Sequence, residues 1–234
     1  MSPDEKAWQA VAMRIADAAH QAGRDPASVR LLAVSKGQSE AAIRAAYAKG
    51  QRAFGENYVQ EALGKAPELD DLPGLEWHMI GQLQSNKTRV AAERFAWVQS
   101  VDRLKIAERL ASARDTRLSP LNVCVQVNIS GESAKSGAAP ADAVPLARTV
   151  AKLPRLALRG FMGIAEETGD VARQRRQFRV LRELFDAACA EELALDTLSM
   201  GMSADLEAAI AEGATLVRVG TALFGPRQKS TGAE

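Results

Sequence analysis

A single (β/α)8 TIM barrel with one additional N-terminal helix is the fold this sequence predicts, and three observations predict it. Eight short apolar runs follow one another along the 234 residues, and each is succeeded by a segment with helical spacing. Such regular alternation makes the strands parallel, and eight repeats close the sheet on itself. No low-complexity linker divides the chain, so residues 1–234 read as one domain with a polar tail from about 226. A doubly wound open sheet is the competing use of the same alternation.

The elements follow in order. Ser2-Pro3-Asp4-Glu5 is a capping-box pattern with proline at the first helical position. Trp8, Val11, Ile15 and Ala18 then keep helical spacing up to Gly23, which predicts an opening helix packed across one end of the domain. Strand one is Leu31 to Lys36, with Pro26 before it and Gly37 after it. Ser39 can cap a helix reaching Lys49, with Gly50 at the C′ position. Ala53-Phe54 is a short strand, and a helix through Val59 and Leu63 follows its exit at Gly55-Glu56-Asn57-Tyr58. Strand three is Leu75–Ile80, followed by a helix from Ser85 to about Glu93. Strand four is Ala96–Ser100, with Asp102 capping a helix over 103–114. Leu121–Ile129 is the longest strand, and the polar loop 130–139 after it contains Lys135. A helix over 142–152, a strand over 156–162 and a long helix over 170–190 come next. Strand seven (197–200), a helix (204–211), strand eight (216–219) and a last turn at 221–224 complete the pattern.

Composition narrows the function classes. Lys plus Arg number 30 against 29 for Asp plus Glu, a net charge of +1 that makes no electrostatic case for nucleic acid or an anionic membrane. No apolar run approaches the ~20 residues of a membrane helix. The first residues lack the basic and apolar regions of an export signal. The only cysteines, Cys124 and Cys189, and the only histidines, His20 and His78, have no metal-ligand spacing. These features predict a cytoplasmic protein without a metal, and the chain is expected to be a monomer.

Strand parity predicts which side chains meet at one mouth of the barrel. In strand five Val123, Val125, Val127 and Ile129 should pack outward, leaving Asn122, Cys124, Gln126 and Asn128 inward. In strand eight Val217 and Val219 should face the helices, which sends Arg218 inward with Gly220 above it. Leu32, Val34 and Lys36 share a face of strand one, and Glu76, His78 and Ile80 share one in strand three. Two inward cations, Lys36 and Arg218, without a carboxylate in the same layer point to an anionic ligand, because unpaired buried charge is costly. The alternative is that Arg218 pairs with Glu56 or Glu76. The turns Ser199-Met200-Gly201-Met202-Ser203 and Gly220-Thr221 leave strands seven and eight, where barrels commonly bind phosphate. A strand-terminal lysine has two readings. It can simply mark where the strand meets water, or, partly desolvated, its amine can attack an aldehyde. A lysine for an aldehyde opposite a phosphate cup fits pyridoxal 5′-phosphate.

With these residues in hand the sequence closely resembles the YggS/PROSC family of pyridoxal phosphate homeostasis proteins. The stretches that carry the resemblance are Leu31 to Lys36, Phe54-Gly55-Glu56-Asn57-Tyr58, Trp77-His78-Met79-Ile80-Gly81 with Leu83 to Lys87, Ser199 to Ser203, and Val217 to Thr221 through Phe224-Gly225. The resemblance implies a barrel like the N-terminal domain of alanine racemase, with Lys36 carrying the cofactor as an internal aldimine. It implies that Ser203, Gly220 and Thr221 hold the phosphate and that Arg218 lies beside the cofactor. It further implies that Asn57, His78 and Met200 line the pocket, and that no residue is dedicated to catalysis.

The resemblance favours a reservoir or carrier for pyridoxal phosphate in vitamin B6 homeostasis, with apo-enzymes that need the cofactor as recipients. An amino-acid racemase is the alternative, and Tyr58 is the one candidate for its second acid/base. A class I aldolase using Lys36 fits the barrel but not the motif set. Lys135, in Ser133-Ala134-Lys135-Ser136-Gly137, either is a solvated loop lysine or accepts the aldehyde transiently during loading and release.

Overall fold

The computed structural model describes residues 3–132 and 135–225. Ser2, Ser133, Ala134 and the tail from 226 therefore lie outside the described residues. Eight strands pair in parallel in sequence order: β1 (Arg30–Val34), β2 (Ala53–Glu56), β3 (Glu76–Met79), β4 (Trp97–Val101), β5 (Leu121–Val127), β6 (Leu156–Gly163), β7 (Thr197–Ser199) and β8 (Leu216–Val219). Pairing of β8 with β1, Arg30 beside Leu216 and Ala33 beside Val219, closes the barrel. The open sheet is thereby excluded. The outer ring consists of α2 (Glu40–Ala48), α3 (Val59–Lys65), α4 (Thr88–Arg94), α5 (Leu104–Ala113), α6 (Pro140–Val150), α7 (Val171–Ala190) and α8 (Leu206–Ala211). The opening helix α1 (Pro3–Gln21) and a single turn, α9 (Thr221–Phe224), complete it.

Local chemistry accounts for the helix boundaries. Ser39 Oγ accepts the Ala42 N–H at 3.3 Å, and Asp170 accepts the Arg173 N–H at 3.1 Å, each satisfying an orphan donor at a helix start. Helix α5 departs from expectation. Its N-cap is Arg103 with no side-chain cap, and Asp102 instead pairs with the Arg103 guanidinium at 2.6 Å. The expected helix at Ser85 begins as a 3-10 turn and becomes α-helical at Thr88.

The opening helix also departs from expectation. Rather than lying across an end, α1 packs against α8 and α9, with Trp8 edge-on to Phe224 at 5.9 Å and Lys49, after α2, over the Trp8 ring. It fills the place in the ring that the single-turn α9 is too short to occupy.

Strand parity holds. Val123, Val125, Val127 and Ile129 join the apolar layer between sheet and helices, while Cys124 meets Trp97 and Met162 inside the barrel. Burial pushes the Cys124 thiol up to about 12, so it packs as an inert apolar group. Two register shifts, one in β4 between Val98 and Val101 and one in β6 between Leu158 and Gly160, fit the closed sheet around this interior. At Gly160 (φ +149°) a Cβ would run into the Thr197 carbonyl, so the close approach of β6 and β7 requires glycine. Below this layer the Arg30 and Arg159 guanidinium groups lie 5.3 and 5.2 Å from the Trp97 ring centroid, covering the N-terminal end.

Candidate functional site

The opposite end, where the strands' C-termini emerge, carries the candidate site. The β1 ladder extends one residue beyond Val34, through Ser35 N–H to the Gly55 carbonyl at 3.0 Å, and Lys36 follows directly. Lys36 lines two cavities of about 310 Å³ each. The first also has Arg218, Ser203, Gly220, Thr221 and Asp205 on its walls. The second runs past Asn57, Gly81, Gln126, Asn128 and Lys135, and Arg218 borders both. The structure thus gathers Lys36, Arg218, Ser203, Gly220 and Thr221 around one space, with Asn57 on the adjoining one.

Arg218 is buried and pairs with neither Glu56 nor Glu76. Nη1 donates to the Ser199 carbonyl (2.6 Å) and to Ser199 Oγ (2.7 Å), and Nη2 donates to the Gly163 carbonyl (2.9 Å). Burial pushes its pKa down to about 10, which still leaves it charged at neutral pH. The carboxylate that acts on it through space is Asp205, a wall residue that strand parity could not have identified, since it lies in a turn. Asp205 Oδ1 accepts the Met202 N–H (2.5 Å) while its own N–H donates to the Met202 carbonyl (3.1 Å), so it folds the turn that presents Ser203. Arg14 of α1 fixes the same turn, donating to the Ser203 carbonyl at 2.9 Å and to Glu207 at 2.7 Å. An aspartate at the N-cap position of α8 was the available sequence signal. Arg14 had none, because only the docking of α1 brings it there.

The cup suits a phosphate. Ser203 and Thr221 offer hydroxyl donors, and the first N–H groups of α9 have no partner within that helix. A Cβ on Gly220 would lie 3.2 Å from the Val34 carbonyl, so glycine brings the β8 exit against the β1 exit that carries Lys36. Cation, hydroxyls and amine therefore line one cavity. Among the described residues no group of three or more His, Cys, Asp or Glu could hold a metal ion.

His78 and Met200 line neither cavity. Met200 is buried in the apolar layer outside the sheet. His78 is buried beneath the site, stacked on Trp97 with centroids 5.1 Å apart. It reaches Arg218 through a relay: Ser199 Oγ donates to Gln99 Oε1 (2.6 Å), and Gln99 Nε2 donates to His78 Nδ1 (2.9 Å). Nδ1 accepts, so the proton of the neutral ring sits on Nε2, 3.5 Å from Glu76 Oε2. Burial lowers the His78 pKa despite that neighbouring carboxylate. The folded protein then resists a proton that the unfolded chain takes up below about pH 6.5. Stability contributed by neutral His78 is complete above that pH and falls as pH drops, by at most about 1.4 kcal/mol per unit. Thermal unfolding followed from pH 7 to pH 5 is expected to show a steeper loss in the wild type than in His78→Gln.

Tyr47 Oη donates to the Pro73 carbonyl at 2.6 Å, away from the site, and Tyr58, 68% exposed, lines a third cavity that shares Asn57, Gly81 and Gln82 with the second. Lys135 pairs with Glu132 at 2.7 Å on the wall of the second cavity.

Comparison with known proteins places this geometry. Residues 8–228 match the family described as Alanine racemase, N-terminal domain. A Pseudomonas aeruginosa protein named pyridoxal phosphate homeostasis protein is 63% identical over 217 residues, 93% of each chain. One of the same name from Escherichia coli is 49% identical, with 93% of this chain and 94% of that one covered. The solved structure of PipY from Synechococcus elongatus with pyridoxal phosphate bound superposes with a TM-score of 0.79 at 43% identity, covering 92% of this chain and 100% of that one. Alanine racemase of Clostridium difficile shares the fold alone, at 14% identity and a TM-score of 0.68 over 57% of its length. No helix among the described residues is long and apolar enough to cross a membrane.

Proposed function

The chain belongs to the alanine racemase N-terminal domain family, and we propose that it is a pyridoxal 5′-phosphate-binding protein of vitamin B6 homeostasis, a reservoir and carrier that holds the cofactor covalently through Lys36. The observation that carries this reading is the meeting of Lys36 and Arg218 with Ser203, Gly220 and Thr221 around one cavity of about 310 Å³. The cofactor brings an aldehyde that condenses with a primary amine, losing one water, and a phosphate that anchors it. Lys36 supplies the amine. Ser203, Gly220 and Thr221 receive the phosphate, and Arg218 supplies the positive charge. Asn57 borders the adjoining space, while His78 supports Arg218 from below through Gln99 and Ser199.

The same residues argue for holding over turnover. With the cofactor bound, Arg218 would offer it only N–H donors and a fixed positive charge, and a guanidinium charged at neutral pH would not serve as an acid or base. Lys135 lines the second cavity with Lys36 and pairs with Glu132, which supports a solvated loop lysine as well as an amine that would accept the aldehyde transiently. Recipients are apo-enzymes that require the cofactor.

Isotope exchange separates carrier from racemase. The loaded protein incubated with L-alanine in deuterium oxide is expected to leave the α-proton in place over hours. Exchange with turnover would establish the racemase.

A further inference from the structure

Lys65 lies at the end of α3 with its side chain only 8% exposed, and it does not touch either cavity that contains Lys36. An ammonium group has three N–H donors, and each is used. Nζ donates to the Ser35 carbonyl (2.9 Å), to Glu56 Oε1 (2.9 Å) and to Glu61 Oε1 (2.8 Å). Ser35 Oγ donates to the same Glu56 oxygen at 2.6 Å, and Glu61 Oε1 also accepts the Gly37 N–H. Burial raises the pKa of Glu56 in spite of its bonds to Ser35 and Lys65, so this cluster is costly to assemble.

What it holds is specific. The Ser35 carbonyl belongs to the peptide group before Lys36, and the Gly37 N–H to the peptide group after it. Both are gripped by side chains of one helix, α3, braced against Glu56 of β2. With both flanking peptide planes fixed, the backbone at Lys36 has no freedom to swing its side chain away from the mouth. Gly37 would otherwise permit that movement, since it sits at φ +70° in a turn leaving the strand.

We propose that Glu61 and Lys65, with Glu56, form a clamp on the two peptide groups flanking Lys36 and act as positioning residues for its reaction with an aldehyde. The inference rests on Lys36 being the attachment site. A cluster that merely tied α3 to β2 would affect stability and leave the rate of covalent attachment alone. The clamp sets that rate, because small misplacements of a reacting group are expensive.

The test uses the full chain, pyridoxal phosphate as the probe, and three variants at Glu61, the more exposed end of the cluster at 25%. Stopped-flow absorbance gives the rate of covalent attachment, borohydride fixation with peptide mapping gives its position, and thermal unfolding is followed separately. Glu61→Ala removes the acceptor for the Gly37 N–H and is expected to slow attachment by about tenfold. Glu61→Gln keeps an oxygen there and is expected to restore the rate to within about twofold of wild type. Glu61→Asp keeps the charge but withdraws it by one methylene, and slower attachment is expected again in a protein that retains the ion pair. Attachment by Glu61→Ala and Glu61→Asp at the wild-type rate would overturn the clamp alone. Failure of the wild type to attach cofactor at Lys36 would overturn the carrier reading and the clamp together.

Discussion

Replacing Lys36 with alanine is expected to abolish the yellow, borohydride-fixable cofactor and to weaken retention of pyridoxal phosphate by about 100-fold, some 2.7 kcal/mol. The substitution removes the one amine among the described residues that borders both the cup and the adjoining cavity. It leaves Ser203, Gly220, Thr221 and Arg218 in place, so a residual noncovalent affinity for the phosphate should persist. Absorbance after gel filtration measures the first effect, and equilibrium dialysis the second. Undiminished fixation in Lys36→Ala would mean that another lysine carries the aldehyde.

The second large effect is expected at Arg218, and it should separate binding from stability. Burial pushes the Arg218 pKa down to about 10, so keeping the charge inside the barrel carries a desolvation cost. Arg218→Met relieves that cost. It also deprives the Ser199 carbonyl, Ser199 Oγ and the Gly163 carbonyl of donors, a loss of about 1 kcal/mol or more for each. The two effects oppose one another, but loss of the guanidinium also leaves the buried Asp205 carboxylate without the charge that acts on it, so some destabilisation of the unliganded variant is expected. Binding has no compensation, because truncating one member of a buried charge pair costs about 2–5 kcal/mol. The expected result is a lowered melting temperature without ligand and a largely missing increase when pyridoxal phosphate is added. A variant that melts far below wild type but binds normally would make Arg218 a structural residue.

Much of this was legible in the sequence because barrel strands obey a period of two. Alternation in Val123 to Val127 separated the outer layer from Cys124, and the same parity sent Arg218 inward between Val217 and Val219. Lys36 stood out because an apolar run ends on it, and the cup because two glycine-containing turns leave strands seven and eight.

Residues whose roles depend on long-range contacts were not legible. Lys65 reads as a surface lysine at a helix end, and only the seating of α3 on β2 buries it against Glu56 and Ser35. Gln99 and Ser199 are 100 residues apart, and their bond needs both the bulge in β4 and the closed barrel. His78 shows the limit of parity: the face was read correctly, but the depth was not, and it lies under Arg218 and lines neither cavity that Lys36 lines. Asp102 failed as a cap because the adjacent Arg103 offered a charge-assisted bond in place of a backbone N–H.

The most direct measurement compares pyridoxal phosphate with pyridoxal, which has the aldehyde but no phosphate, for covalent attachment to the wild-type chain at equal concentration. After borohydride reduction, peptide mapping is expected to find about one equivalent of the phosphorylated aldehyde on the peptide containing Lys36, very little pyridoxal there, and competition by inorganic phosphate. Equal labelling by both aldehydes, or label scattered over surface lysines with Lys36 unmodified, would contradict an amine and a phosphate cup acting on one ligand.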